Sequence, residues 1–199
     1  MKIIGITGPT GAGKGALCSM LTANGIPCIN ADEVYHSLLI PPSPCLDALV
    51  EHFGAGILTD NGYLDRRALA SRVFTEDAEN EREALNRITH SFVRERMLEQ
   101  IKELSGSSSV CLDVPLLFES GFDEMCDFTV AVLADRELRV ERIVSRDGLD
   151  RDGANARVAA QPNDEFYSSR ADLTVYNNCD LTSLKNNCEQ IIDRLEKLV

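Results

Sequence analysis

Apolar and polar positions alternate along the chain in blocks that predict strands and helices in turn. Lys2 to Thr7 is a short β-branched run that stops at Gly8, the mark of a buried strand. From Ala16 to Ala23, Leu17, Met20 and Leu21 have helical spacing, Asn24-Gly25 stops the helix, and Ile26 to Asn30 predicts a second strand. Strand, loop, helix and strand make a βαβ unit. Residues 32 to about 106 read mostly helical, with turn signals at Pro41-Pro42-Ser43-Pro44 and Thr59-Asp60-Asn61-Gly62. Further strands are predicted at Ser109 to Asp113, Phe128 to Leu133 and Leu173 to Tyr176, and this alternation argues for a parallel sheet covered on both faces. The charged stretch Glu137 to Arg157 reads as a mobile flap of short helices broken at Asp147-Gly148 and Asp152-Gly153. Leu181, Leu184, Cys188, Ile191, Ile192, Leu195 and Leu198 recur every three or four residues, which predicts a closing helix packed on the sheet.

The first loop carries candidate chemistry. Gly8-Pro9-Thr10-Gly11-Ala12-Gly13-Lys14-Gly15, followed by Ala16, stands between a predicted strand and a predicted helix. Glycines let successive amides point at one centre, the helix adds the positive end of its dipole, and Lys14 adds a full charge: a cradle for nucleotide phosphates. The position after the lysine, where Ser or Thr commonly holds magnesium, is Gly15. The string resembles the loop of adenylate kinases, where glycine also follows the lysine and magnesium is held mainly through water. Asp113, closing an apolar strand, is the candidate to organise that metal shell through water. Asp32 follows the second strand and is either a general base or the cap of a helix starting at Glu33.

Composition narrows the class. The 199 residues fit one domain, and 44% hydrophobic with 26% charged residues excludes disorder or collagen-like repetition. No apolar run approaches the roughly 18 residues that span a bilayer, and the amino terminus breaks into glycine before it could form a signal-peptide core, so a cytoplasmic protein is expected. Acidic residues outnumber basic ones by 32 to 20, a net charge of -12 that repels nucleic acid in the absence of a separate basic face. A polyanionic ligand must therefore be met locally by a few cations and backbone amides. The seven cysteines are odd in number, scattered and never spaced C-x-x-C, which predicts buried free thiols rather than a zinc site or disulfides. The chain lacks the Asn-Lys-x-Asp of guanine binders, and Leu104-Ser105-Gly106 lacks the continuation of a transporter signature. A small-molecule kinase fits the size.

The chain resembles the dephospho-coenzyme A kinases along nearly its whole length. Asn30-Ala31-Asp32 looks like that family's Asp-Ala-Asp, Leu64-Asp65-Arg66 with Val73-Phe74 is similar to its helical-lobe pattern, and Ile88-Thr89-His90 to its Leu-His-Pro. The most specific likeness is Asp113-Val114-Pro115-Leu116-Leu117-Phe118-Glu119-Ser120-Gly121. Arg142, Arg146-Asp147-Gly148-Leu149, Arg157, Ala159-Ala160-Gln161, Arg170-Ala171-Asp172 and Asn178 follow in the family's order. The resemblance implies a three-layer α/β P-loop kinase fold with a five-stranded parallel sheet. Its core would be 1–31, 107–141 and 171–199, its inserted helical CoA-binding lobe about 32–106 and its lid about 142–170. It implies transfer of the ATP γ-phosphoryl group to the ribose 3′-hydroxyl of dephospho-CoA with magnesium, the last step of CoA synthesis. Lys14 and Arg142 would clamp the phosphoryl group with Arg146 in reserve, and Asp32 would be the base. Asn178 would meet the adenine, while His90, Leu116, Leu117, Phe118 and Glu119 would line the acceptor site. Asn30 and Gly15 depart from the pattern at two metal-ordering positions.

Two other readings stay open. A nucleoside monophosphate kinase would need arginines for a second phosphate, and Arg66, Arg67, Arg72 and Arg82 lie in the helical stretch. A degenerate P-loop protein would bind nucleotide or CoA without turnover. Oligomeric state is open, with a monomer as the default and no nucleic-acid or membrane partner expected.

Overall fold

The apolar runs form one five-stranded sheet in the order β2-β3-β1-β4-β5, with every pairing parallel. Its strands are β1 (Lys2–Thr7), β2 (Cys28–Asn30), β3 (Ser109–Asp113), β4 (Phe128–Leu133) and β5 (Leu173–Tyr176). The structure is a computed structural model that describes residues 1–75, 77–178 and 181–197. β3 and β4 are buried at every position because both faces of the sheet are covered, which is why they read as unbroken apolar runs. From the central β1 the chain builds first to one side and later, with β4 and β5, to the other. The loop after β1 therefore opens at the reversal point where open parallel sheets bind ligands.

Contacts divide the chain into two compact units, Met1–Asn30 with Glu103–Val199, and Ala31–Lys102. In the first, α1 (Lys14–Ala23) and α9 (Leu181–Glu196) cover one face of the sheet. Leu17 and Leu21 of α1 and Leu184, Cys188, Ile191 and Leu195 of α9 pack with Ile4, Ile6, Val130 and Val132. Leu198 and Cys179, like the side chain of Leu181, lie outside the described residues. Tyr167 of α8 (Asp164–Ser168) packs with Ala131 and Leu133. The charged stretch forms α6 (Arg136–Asp147) and α7 (Arg151–Ala159), joined by their own apolar cluster of Val140, Ile143, Ala154 and Val158. The expected break at Asp147-Gly148 is present, with Gly148 left-handed at the end of α6. The expected break at Asp152-Gly153 is not. Both residues sit in the first turn of α7, because the Asp150 carboxylate caps the helix by accepting from the Gly153 amide at 2.7 Å.

The second unit holds α2 (Ala31–Ser37), α3 (Pro44–Phe53), α4 (Arg66–Val73) and most of α5 (Glu79–Glu103) around Leu39, Leu49, Phe53, Ile57, Leu69 and Val73. Ser43 and Asp65 cap α3 and α4 after the two turn signals. No described helix is long and apolar enough to cross a membrane. The six described cysteines are free thiols.

The packing of α9 sets a test. Ile191 is fully buried and Asp193 exposed on the same helix. Ile191→Ala is expected to cost about 2–5 kcal/mol and Asp193→Ala less than about 0.5 kcal/mol, read from urea midpoints.

Candidate active site

The loop of residues 8–15 is shaped by glycines where no other residue fits. Gly8 and Gly13 have φ of 137° and 94°. A β-carbon at Gly8 would strike the Val132 backbone, and one at Gly13 the Asn177 side-chain amide. Gly13 caps α1, so the helix starts at Lys14 and its first-turn amides open toward the loop.

The outward-facing side of the loop is held by side chains. The Lys14 ammonium donates to the Gly8 carbonyl at 2.7 Å. Arg139 Nε donates to the Thr10 carbonyl at 3.0 Å, and the Thr10 amide donates to Gln161 Oε1 at 2.8 Å. Arg142 Nη1 donates to the Gly11 and Ala12 carbonyls at 3.1 and 3.3 Å, and its Nη2 to the Asn177 carbonyl at 2.9 Å. Asn177 Nδ2 adds a bond to the Ala12 carbonyl at 2.8 Å. Arg139 and Asn177 are buried. The sequence reading did not select Arg139, Gln161 or Asn177 as site residues. The signal for Arg139 and Asn177 was position alone, on the charged stretch and just after β5, while Gln161 stood in the family-like Ala159-Ala160-Gln161 without a role.

Between the loop and α6 lies a cavity of about 510 Å³ whose lining includes Gly11, Gly13, Gly15, Ala16, Arg142 and Arg146. A β-carbon at Gly15 would meet nothing within 4 Å, so sterics do not explain the missing hydroxyl there. Arg146 pairs with Asp147 at 2.7 Å and reaches Thr10 Oγ1 at 3.5 Å. Arg157 also binds Asp147, at 2.5 Å. The hydrogen bond from Arg146, reinforced by both arginine charges, holds the Asp147 carboxyl below its ordinary range.

Asp113 ends β3 in register with Ile6 of β1 and Asn30 of β2. It is buried, and Asn30 Nδ2 donates to its Oδ2 at 3.2 Å. An acid at position 30 would set two carboxylates together, whereas the amide orients the one present. A single hard carboxylate oxygen beside a phosphate loop suits magnesium, which keeps several waters and takes one or two carboxylates with the substrate phosphates.

The remaining expected residues separate into distinct settings. Leu117 is fully buried and would press on any side chain at Gly5, so it is a core residue and offers a ligand no surface. Leu116 is 51% exposed, Glu119 is exposed and Phe118 is half-buried against Phe166. Asn178 exchanges hydrogen bonds with Asp135, donating to Oδ1 at 2.8 Å and accepting from the Asp135 amide at 2.7 Å. Asp32 and His90 belong to the helical unit. Asp32 is exposed in the first turn of α2, and His90 is half-buried on α5, where desolvation lowers its pKa. In the same unit a pocket of about 210 Å³ is lined mainly by Tyr35, Leu64, Leu69, Val73, Phe74 and Leu85, and also by Arg66.

A parallel sheet with a lysine-bearing glycine loop after β1, an acid closing β3 and arginines on α6 defines a P-loop kinase. Shikimate kinases share this fold, the one from Acinetobacter baumannii at 16% identity and a TM-score of 0.54, covering 99% of this chain and 94% of its own. The family described as dephospho-CoA kinase matches residues 2–183. The dephospho-CoA kinase of Halalkalibacterium halodurans is 35% identical over 197 residues, 98% of this chain and 96% of that protein. The solved dephospho-CoA kinase from Campylobacter jejuni aligns with a TM-score of 0.69 at 26% identity, covering 98% of this chain and 97% of its own. A solved protein from Thermus thermophilus reaches 0.83 at 31% identity with the same coverage. The chain belongs to the dephospho-CoA kinase family. It is an ATP-dependent kinase of CoA biosynthesis that phosphorylates a hydroxyl of dephospho-CoA.

The bonds to the loop separate two neighbouring asparagines. Asn177→Ala leaves the Ala12 carbonyl with its longer bond to Arg142 and is expected to cost about 1–3 kcal/mol and raise the KM for ATP. Asn178→Ala is expected to cost less than about 1 kcal/mol and leave that KM unchanged. Denaturant midpoints and ATP saturation curves for both variants test this; a KM effect confined to Asn178→Ala would return the nucleotide contact to that residue.

Proposed function

We propose that the chain transfers the γ-phosphoryl group of ATP to the ribose 3′-hydroxyl of dephospho-CoA, using Lys14, Asp32 and the arginines of α6. The observation that carries this reading is the loop itself: its carbonyls are bonded from behind by Arg139, Arg142 and Asn177. Such bracing leaves its concave side and the first amides of α1 for phosphates.

Lys14 meets the β- and γ-phosphates, exchanging the Gly8 carbonyl for phosphate oxygens and neutralising charge in a loose transition state. Arg142 works mainly as a positioning residue, since three of its hydrogen bonds go to backbone carbonyls, while its charge and that of Arg146 border the nucleotide cavity. Residues of α6 and α7 serve as the lid that excludes water. Asp32 accepts the hydroxyl proton as the bond to phosphorus forms, and its exposure leaves it available to an acceptor. Magnesium bound to ATP would be steered through water by Asp113, with Asn30 fixing the carboxylate, and would supply charge neutralisation on the phosphates.

For the acceptor, the apolar pocket of the helical unit suits the pantetheine arm better than a second nucleotide phosphate. Arg72, one of the arginines a monophosphate site could use, donates instead to the Phe53 carbonyl, and Arg66 to His36 at 3.0 Å. Leu116, Phe118, Glu119 and His90 are the further acceptor contacts of this reading. The enzyme works in the cytoplasm as a monomer, without nucleic acid or membrane.

ADP release with ATP, magnesium and dephospho-CoA, run beside AMP, CMP and no acceptor, tests the assignment. Release should depend on dephospho-CoA alone, fall about 10²–10³-fold in Lys14→Ala, and fall about 10²–10⁴-fold in kcat for Asp32→Asn with little change in ATP affinity. Turnover with a monophosphate would move the chain to the nucleoside monophosphate kinases, and nucleotide binding without turnover on any acceptor would make it a binding protein.

A further inference from the structure

The sequence scatters its cysteines, yet the fold gathers three of them. Cys18 of α1, Cys28 of β2 and Cys111 of β3 place their sulfurs within 4.8 Å of one another, with Cys18 and Cys111 at 4.0 Å. Cys28 and Cys111 face each other in the register of two neighbouring parallel strands. Cys18 and Cys111 are buried, and Cys28 is only half-buried, which gives the cluster one opening.

We propose that these three thiolates form a site for a thiophilic d¹⁰ cation, zinc or copper(I). The dimensions suit an ion: sulfurs that share one zinc at about 2.3 Å stand about 4 Å apart, and Cys18 and Cys111 are already 4.0 Å apart with all three sulfurs within 4.8 Å. Soft thiolates select such ions over magnesium, and sulfur donors suit copper(I) as well as zinc. The cation enters past Cys28 as the thiols give up their protons to solvent, and a water completes the shell where zinc requires a fourth ligand. Ion binding is favoured over a disulfide, because the Cys18 and Cys111 sulfurs at 4.0 Å stand well beyond the roughly 2.05 Å of an S–S bond and because ion binding needs no oxidant.

The position gives the site a structural consequence. Cys18 lies one helical turn after Lys14, while Cys28 and Cys111 lie two strand positions before Asn30 and Asp113, on the same strand faces as those residues. A bound ion would tie together the three elements that carry the phosphate-binding lysine and the paired Asn30 and Asp113. Binding only to the folded protein raises the thermal midpoint by linkage.

Cadmium alone, added to reduced full-length protein, is the probe. One equivalent should produce thiolate-to-cadmium charge-transfer absorption, three sulfur neighbours in X-ray absorption and a higher thermal midpoint. Cys28→Ser should weaken cadmium binding at least tenfold, whereas Cys126→Ser, which lies outside the cluster, should bind as the parent does. Competition by zinc or by buffered copper(I) then identifies the preferred ion. Absence of stoichiometric binding in the parent, fewer than three sulfur neighbours, or undiminished binding by a folded Cys28→Ser protein would overturn the proposal. So would a Cys18–Cys111 disulfide that forms in air, with no cadmium uptake after reduction. The X-ray absorption measurement on the parent decides the matter even where a variant does not fold.

Discussion

A loop that turns its amides toward a phosphate must turn its carbonyls the other way, and those carbonyls cannot be buried without donors. Much of the first unit serves this requirement. Gly8 is met by Lys14, Thr10 by Arg139, Gly11 by Arg142, and Ala12 by Arg142 and Asn177. Apart from Lys14, the donors come from α6 and from just after β5, so the loop is held in shape by elements more than 120 residues further along the chain. Close approach of these donors in turn excludes a side chain at Gly13. The glycines and the distant donors are therefore one constraint seen from two sides.

The same arrangement explains how an acidic chain holds a polyanion. Nearly all of the excess negative charge is irrelevant to a site where Lys14, Arg139, Arg142 and Arg146 gather around one loop and screening by solvent is reduced. Two of the local acids are occupied: Asp147 by Arg146 and Arg157, and Asp164 by Arg139 at 3.6 Å. At the end of β3 the chain lowers rather than raises negative charge. Asn30 in place of an acid donates to Asp113, so the carboxylate is aimed by a hydrogen bond and no second charge opposes it.

The sheet and its helices were legible in the sequence because their burial is periodic. β3 and β4 are buried at every position and therefore read as continuous runs, and α9 carries its stripe at helical spacing. The phosphate loop was legible because its chemistry is compressed into eight adjacent residues. Asn177 was not, since an asparagine after a strand looks the same whether it binds a loop carbonyl, as Asn177 does, or holds the residue that precedes a helix, as Asn178 does with Asp135. Leu117 was misread as a lining residue for a related reason: its neighbour Leu116 has the same side chain, and only the fold reveals which leucine turns inward beneath Gly5. Gly153 looked like a helix break until the Asp150 cap made its amide the helix start. The three gathered cysteines escaped for the opposite reason, because ligand spacing was sought along the chain while a parallel sheet assembles it across strands.

The acceptor chemistry proposed above rests on the pocket of the helical unit. A second phosphate needs fixed cations, and a guanidinium committed to a backbone carbonyl cannot be recruited without leaving that carbonyl unbonded. Arg72 is committed in this way to Phe53, and the pocket that Arg66 helps to line is otherwise walled by leucine, valine, alanine and aromatic side chains. Apolar walls reward a ligand that brings methylene groups out of water and penalise one that brings bare charge. The pantetheine arm proposed to lie there offers the former. On the proposed reading, discrimination against nucleoside monophosphates arises from uncompensated desolvation in the helical unit rather than from the phosphate loop.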